Sequence, residues 1–189
     1  MAKDHNGINV DVLMSTINAI KDNPEIADFK FRVSNQWQGG TSNKATLKGF
    51  YGALEEHPDR KAQTKFEIDE PPVLLGEDRG PNPVEYLLIA LSGCLTTTMV
   101  AWASVHGHEI KSMSSELEGD LDLRGFLGMD ENVDVGYKTI RVNFQIESDL
   151  DDETLEKIIE MGRRYSPVYN TVTRQVPVDV TFKQAAAVS

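Results

Sequence analysis

The chain has 189 residues, 40% of them hydrophobic, and carries 19 Lys and Arg against 30 Asp and Glu, a formal net charge of −11. That balance disfavours polyanionic partners, nucleic acid and anionic lipid alike, and a single cysteine, Cys94, excludes an internal disulfide. The length fits one domain with an extension, and no long apolar segment follows Met1, so the expectation is a soluble cytoplasmic protein.

Residues 8–23 place Ile8, Val12, Leu13, Thr16, Ile17 and Ile20 at helical spacing, with Asn6 or Asn9 as cap and Asn23-Pro24 as the stop. This amphipathic helix belongs to an extension over residues 1–28, ahead of a main domain over 29–189, and its expected role is to pack over a partner surface. Phe29, Phe31 and Val33 alternate with Lys30 and Arg32 as a half-buried strand. A turn over 39–43, a second strand over 45–50, a polar loop over 55–60 and a third strand over 62–68 complete an antiparallel meander, which Asp69-Glu70-Pro71-Pro72 ends.

The stretch from 80 to 107 is the longest apolar run and holds Cys94 near its middle. Pro81 and Pro83 mark its start, and Leu87, Leu88, Leu91, Leu95, Met99, Trp102 and Val105 recur at steps of three or four, predicting a helix over 84–106. The helix is apolar on nearly all sides, which makes it a core helix, while Ser92, Thr96, Thr97, Thr98 and Ser104 make it a poor membrane span. Gly93 is expected to admit a neighbouring element, and Gly107 to end the helix in the left-handed region.

A strand over 109–123, a loop over 125–136 and a strand over 137–146 follow, the last with Ile140, Val142, Phe144 and Ile146 on one face. Ser148 or Asp149 is expected to cap the next helix, whose buried face holds Leu155, Ile158, Ile159 and Met161 and which Gly162 ends. Ser166-Pro167 reads as a cap with proline at the first helical position, opening a short helix over 166–173. Val176, Val178, Val180 and Phe182 close the chain as a last strand. Strands and helices are segregated, so the fold class is α+β with mainly antiparallel sheets around the long Cys-bearing helix. A helix apolar all round needs cover beyond one protomer's sheet, which points to a homodimer.

Two stretches resemble the OsmC/Ohr family of stress-induced, osmotically inducible and organic hydroperoxide resistance proteins. One is Gly80-Pro81-Asn82-Pro83-Val84-Glu85 leading into Ala90-Leu91-Ser92-Gly93-Cys94; the other is Ser166-Pro167-Val168-Tyr169-Asn170-Thr171-Val172, similar to the family's second cysteine motif. The resemblance covers roughly residues 29–183 and implies an intertwined homodimer, two central helices wrapped by sheets of both chains. It also implies thiol chemistry on a hydroperoxide: a cysteine thiolate becomes a sulfenic acid, an arginine and a glutamate orient it, and a second cysteine resolves it as a disulfide. Cys94 stands at the first cysteine position and Ser166 at the resolving one, so this chain is a divergent member without the second cysteine. The glutamate position ten before the cysteine reads Val84, with Glu85 nine before; the arginine position after Gly39-Gly40 reads Thr41, with Arg60 and Arg79 as substitutes from other loops.

The expected function is therefore a one-cysteine peroxidase: Cys94 reduces an organic hydroperoxide and an external thiol regenerates it, with no cofactor and no metal. The alternative is a catalytically degenerate protein binding a small apolar or electrophilic ligand at the dimer interface, and a third reading is an interaction module docking through the helix over 8–23. Each candidate also has a plainer role. Cys94 is a small buried hydrophobe, Ser166 a helix cap and Glu85 a first-turn carboxylate on the helix dipole. His106 and His108 suit a helix C-terminus better than a metal, and Trp37 and Trp102 are packing residues, Trp102 within reach of a pocket at Cys94.

Overall fold

The structure is a computed structural model that describes residues 4–184. Its centre is helix α2, Pro83–Val105, with Asn82 as N-cap: the Asn82 side chain accepts from the Glu85 N–H while the Glu85 carboxylate accepts from the Asn82 N–H, a reciprocal capping box with proline in the first turn. Gly107, at φ 73°, follows the helix in the left-handed region. By length and composition α2 is apolar enough to cross a membrane despite its serines and threonines; one side of it is buried in this chain, at Leu91, Leu95, Met99, Ala103 and Ser104. Leu91, Leu95, Met99 and Ala103 form the buried cluster together with Ile158 of α4, Asp152–Tyr165.

Behind this cluster stands a two-stranded antiparallel ribbon, β8 (Ser112–Leu121) and β9 (Tyr137–Glu147), whose Met113, Leu117, Ile140, Val142 and Phe144 face α2. The alternation that predicts these strands is the alternation of their burial. Their outer face is ionic: Arg141 bonds Glu118 and Asp120, and Asp122 bonds Arg124 and Lys138, which hold its carboxyl well below the usual carboxylate range. The expected loop over 125–136 is preceded by a helical turn, α3, Leu123–Phe126.

Helix α4 is capped by Asp151, not by Ser148 or Asp149; the Asp149 carboxylate instead meets Lys111. Nor does α4 end at Gly162. Its side is pressed against α2, where a Cβ on Gly162 would lie 2.5 Å from Met99 Cγ, so the glycine serves close packing and the helix runs on to Tyr165. Gly93, by contrast, meets nothing on its open side within this chain. Helix α5, Pro167–Thr173, follows at once with Ser166 as its cap.

The N-terminal half departs further from expectation. A hairpin of β1 (Asp4–His5) and β2 (Ile8–Asn9) precedes α1, Val10–Asp22, which Asn9 caps. The hairpin turn plugs the far end of α2. Asn6 Nδ2 donates to Ser104 Oγ at 3.0 Å and to the His108 carbonyl at 2.9 Å, and Asn6 Oδ1 accepts from the Ile110 N–H at 2.8 Å. With that N–H taken by a side chain, β8 begins at Ser112, later than the expected 109.

The meander is β3 (Val33–Gly39), β4 (Ser42–Leu47) and β7 (Lys65–Ile68), in the order β3-β4-β7. Phe29 and Phe31 lie outside it: Lys30 makes one isolated bridge to Tyr51, and the two rings stack on each other and on Phe50 with much of their surface exposed. Phe50 belongs to a separate hairpin, β5 (Phe50–Gly52) with β6 (Glu55–His57), so the first residues of the expected polar loop are a strand. Its two-residue turn, Ala53-Leu54, takes φ of 51° and 69° without glycine or asparagine to announce it.

The expected last strand does not form. The backbone over 176–182 pairs with no strand among the described residues, and Val178, Val180 and Phe182 are 79, 87 and 93% exposed. A strand exists only through a partner's hydrogen bonds, and alternation alone supplies none.

Candidate thiol site

Cys94 lies on α2 one residue before the buried Leu95 and is itself half-buried. The turn between α4 and α5 crosses the helix at this point. Ser166, fully buried there, accepts the Tyr169 N–H at 3.2 Å as the cap of α5 and donates its own hydroxyl to Cys94 Sγ at 3.1 Å. Asn170 ties the same turn down by donating to the carbonyls of Arg163, Arg164 and Ser166. Two residues 72 apart in sequence thus form one sulfur–hydroxyl pair.

A groove of about 620 Å³ opens between α2, β9 and α5. Leu87 and Leu91 line it from the cysteine's helix, Ile140 and Val142 from the ribbon, and Tyr169 and Val172 from α5. Leu91 and Tyr169 stand one helical turn from Cys94 and Ser166 respectively, and the pair itself lies outside the lining of the groove. The Tyr137 hydroxyl closes one end by donating to the Val84 carbonyl; burial, with the Glu85 charge second, pushes its pKa up.

The other candidates are placed elsewhere. Glu85 is exposed and committed to the capping box. The Arg60 guanidinium covers the Phe50 ring, 5.4 Å from its centroid, and Arg79 pairs with Glu77. Among the described residues, Ser166 is the only side chain bonded to the sulfur. Trp102 stacks on His106 with ring centroids 4.0 Å apart, and no group of His, Cys, Asp or Glu among the described residues could hold a metal ion. Trp37 is exposed and donates its indole N–H to the Gly40 carbonyl.

Thr41 has a different task from an active-site arginine. Its hydroxyl donates to the buried Asp69 carboxylate at 2.7 Å, and the N–H groups of Glu70, Glu77 and Arg79 converge on the same carboxylate, so the loop over 70–79 is wound around one anion. These bonds, the Thr41 hydroxyl first, lower the Asp69 pKa. A carboxyl held low in the folded state contributes stability above its unfolded pKa and loses it as pH falls through the folded one. Asp69→Asn is therefore expected to lower the thermal midpoint near neutral pH, and the gap to wild type to close in strong acid; melts across pH check both.

Similarity to known proteins agrees with this architecture. A family model described as OsmC-like protein matches residues 76–181. The fold is similar to that of an OsmC-like protein from Mycoplasma pneumoniae (17% identity, TM-score 0.60, 76% of this chain and 86% of that one). It is also similar to an organic hydroperoxide resistance protein OsmC from Legionella pneumophila (15%, TM-score 0.56, 76% and 89%) and to an OsmC-like protein of unknown function from Vibrio cholerae (14%, TM-score 0.53, 76% and 94%). No curated protein sequence matches the chain. With more than half of its residues inside the family model, the chain belongs to the OsmC-like protein family.

Proposed function

We propose that the protein is a one-cysteine, thiol-dependent hydroperoxide reductase in which Cys94 is the reacting group. The observation that carries the reading is the sulfur–hydroxyl pair, with a largely apolar groove whose lining residues Leu91 and Tyr169 stand one helical turn from it. The groove suits the organic group of R–O–OH, with the peroxide oxygens directed at Sγ. The thiolate attacks the terminal oxygen, an S–O bond forms as the O–O bond breaks, and R–O⁻ takes up the proton that the thiol gave up. Sulfur is oxidised to the sulfenic acid and the peroxide is reduced to an alcohol.

Serine at position 166 closes the route to an internal disulfide. An external thiol therefore attacks the sulfenic sulfur and releases water, and a second thiol frees Cys94 from the mixed disulfide. The proposed acting form is a homodimer. In its support, Ile89 and Gly93 stand on an uncovered side of α2, and the apolar row over 176–182 joins no sheet among the described residues. The residues over 1–28 are proposed to act as an extension that pins the distal end of α2 through Asn6.

The test is turnover of an organic hydroperoxide with a small dithiol as reductant. Wild type is expected to consume peroxide catalytically and Cys94→Ala to fall to the uncatalysed rate; equal rates would overturn the reading. The groove also supports a second reading, in which it holds a small apolar ligand without redox chemistry. Under that reading, ligand-induced thermal stabilisation survives Cys94→Ala and no peroxide is consumed.

A further inference from the structure

Ser166 invites the plain reading of a helix cap, and it is one, but a cap does not need to touch a cysteine. Its oxygen accepts from the Tyr169 N–H, so its single proton is free to point away from that donor, and the acceptor within reach is Cys94 Sγ, at 3.1 Å. The order of donation is Tyr169 N–H to Ser166 Oγ, then Ser166 O–H to Cys94 Sγ. Sulfur is the terminal acceptor of this relay. A thiol is a weak acceptor and a thiolate a strong one, so the bond from this hydroxyl is strongest to the sulfur in the form that attacks a peroxide. Burial of Ser166 and the three Asn170 bonds beneath the turn leave the hydroxyl little freedom to swing away.

The surroundings leave this work to the serine. Helix α4 turns Leu155, Ile158 and Gly162 toward α2, and β8 turns Met113 and Leu117. Arg163 and Arg164 at the end of α4 are exposed, with Arg164 over the Tyr165 ring, and Glu85 is held in its capping box. No cation among the described residues bonds the sulfur.

We propose that Ser166 is a positioning residue for Cys94: its hydroxyl holds the sulfur in one orientation, as the hydrogen-bond acceptor that a reacting thiolate must be. The inference rests on the reading of Cys94 as the reacting thiol. Ser166 itself forms and breaks no bond in the reaction. Its presence accounts for how the site dispenses with a second thiol while keeping a polar atom against the first.

The experiment compares iodoacetamide alkylation of Cys94 at neutral pH, and the ultraviolet absorbance of its thiolate, in wild type, Ser166→Gly and Ser166→Thr. Glycine caps helices nearly as well as serine, so Ser166→Gly removes the hydroxyl with little loss of the cap. It is expected to slow alkylation about tenfold and to diminish the thiolate absorbance, the size set by a hydrogen bond to a charged group. Ser166→Thr restores a hydroxyl and is expected to recover both signals. Thermal melts establish that each variant folds; if the added methyl of threonine is not accommodated, Ser166→Ala must reproduce the loss seen with glycine. Folded glycine and alanine variants with wild-type alkylation and absorbance would overturn the proposal. Because alkylation needs no peroxide, the comparison decides the role of Ser166 even in a protein that fails to reduce hydroperoxides.

Discussion

Ser166→Cys is expected to turn Cys94 into one half of a peroxide-inducible disulfide. The native hydroxyl already lies 3.1 Å from Sγ, on a turn held by its cap and by Asn170. A sulfur at the same site sits on a longer bond from Cβ and has only about 1 Å to close before reaching the ~2.05 Å of a disulfide. Hydroperoxide first makes the sulfenic acid on Cys94; the introduced thiol then attacks it and water leaves. Mass spectrometry after brief peroxide treatment should find both thiols lost, no sulfenic acid to trap, and full recovery with a dithiol. The variant sacrifices the serine cap, about 1 kcal/mol of stability, which is small against the change in chemistry. A variant that still yields a trappable sulfenic acid on Cys94 and no disulfide would show that the two side chains do not meet in solution.

Ile158→Ala is expected to cost about 2–5 kcal/mol, the range for deleting a fully buried aliphatic side chain and leaving a cavity. Ile158 has no exposed surface and is the one residue of α4 in the buried cluster with Leu91, Leu95, Met99 and Ala103. The cavity cannot close easily, because Met99 is already wedged against Gly162 one turn further on. The loss also reaches the thiol site, since α4 leads straight into Ser166. Urea unfolding should show a lower midpoint with an unchanged slope, and Cys94 should become more accessible to alkylation. Glu156→Ala, on the exposed face of the same helix, should stay within about 0.5 kcal/mol of wild type. Equal effects of the two substitutions would mean that α4 does not pack as described.

How much of this the sequence discloses depends on whether the deciding contact is local. The capping box of α2 is readable because Asn82, Pro83 and Glu85 interact within one turn. The ribbon of β8 and β9 is readable because one buried face imposes a period of two. Ser166-Pro167 announces a helix start by the same local logic. Local signals fail where distant groups decide. Asn6, expected as an alternative cap for α1, spends its side chain on Ser104, His108 and Ile110, about a hundred residues away. Gly162 carries the sign of a helix end, yet its meaning is the approach of Met99. Ala53-Leu54 shows that a left-handed turn can form without the residues that favour it. The row over 176–182 has the pattern of a strand but no strand partner among the described residues.

The site follows the same rule. Cys94 and Ser166 are each conspicuous in sequence, one as the only thiol and the other as a cap, and the family resemblance pairs them. That the cap's oxygen lies 3.1 Å from the sulfur is a fact of packing between α2 and the α4–α5 turn. Glu85, Arg60 and Arg79 illustrate the converse: each has the right chemistry for a thiol site and is held elsewhere within the chain by a contact of its own.

The most direct measurement is the rate at which Cys94 in the full chain becomes a sulfenic acid on exposure to an organic hydroperoxide, followed by trapping and mass spectrometry, with free cysteine in the same buffer as reference. A peroxide-reducing site predicts oxidation much faster than that of free cysteine, reversible by an added thiol and dependent on the organic group of the peroxide. Oxidation no faster than free cysteine would contradict it, and would leave the apolar groove between α2, β9 and α5 as a ligand site without redox chemistry.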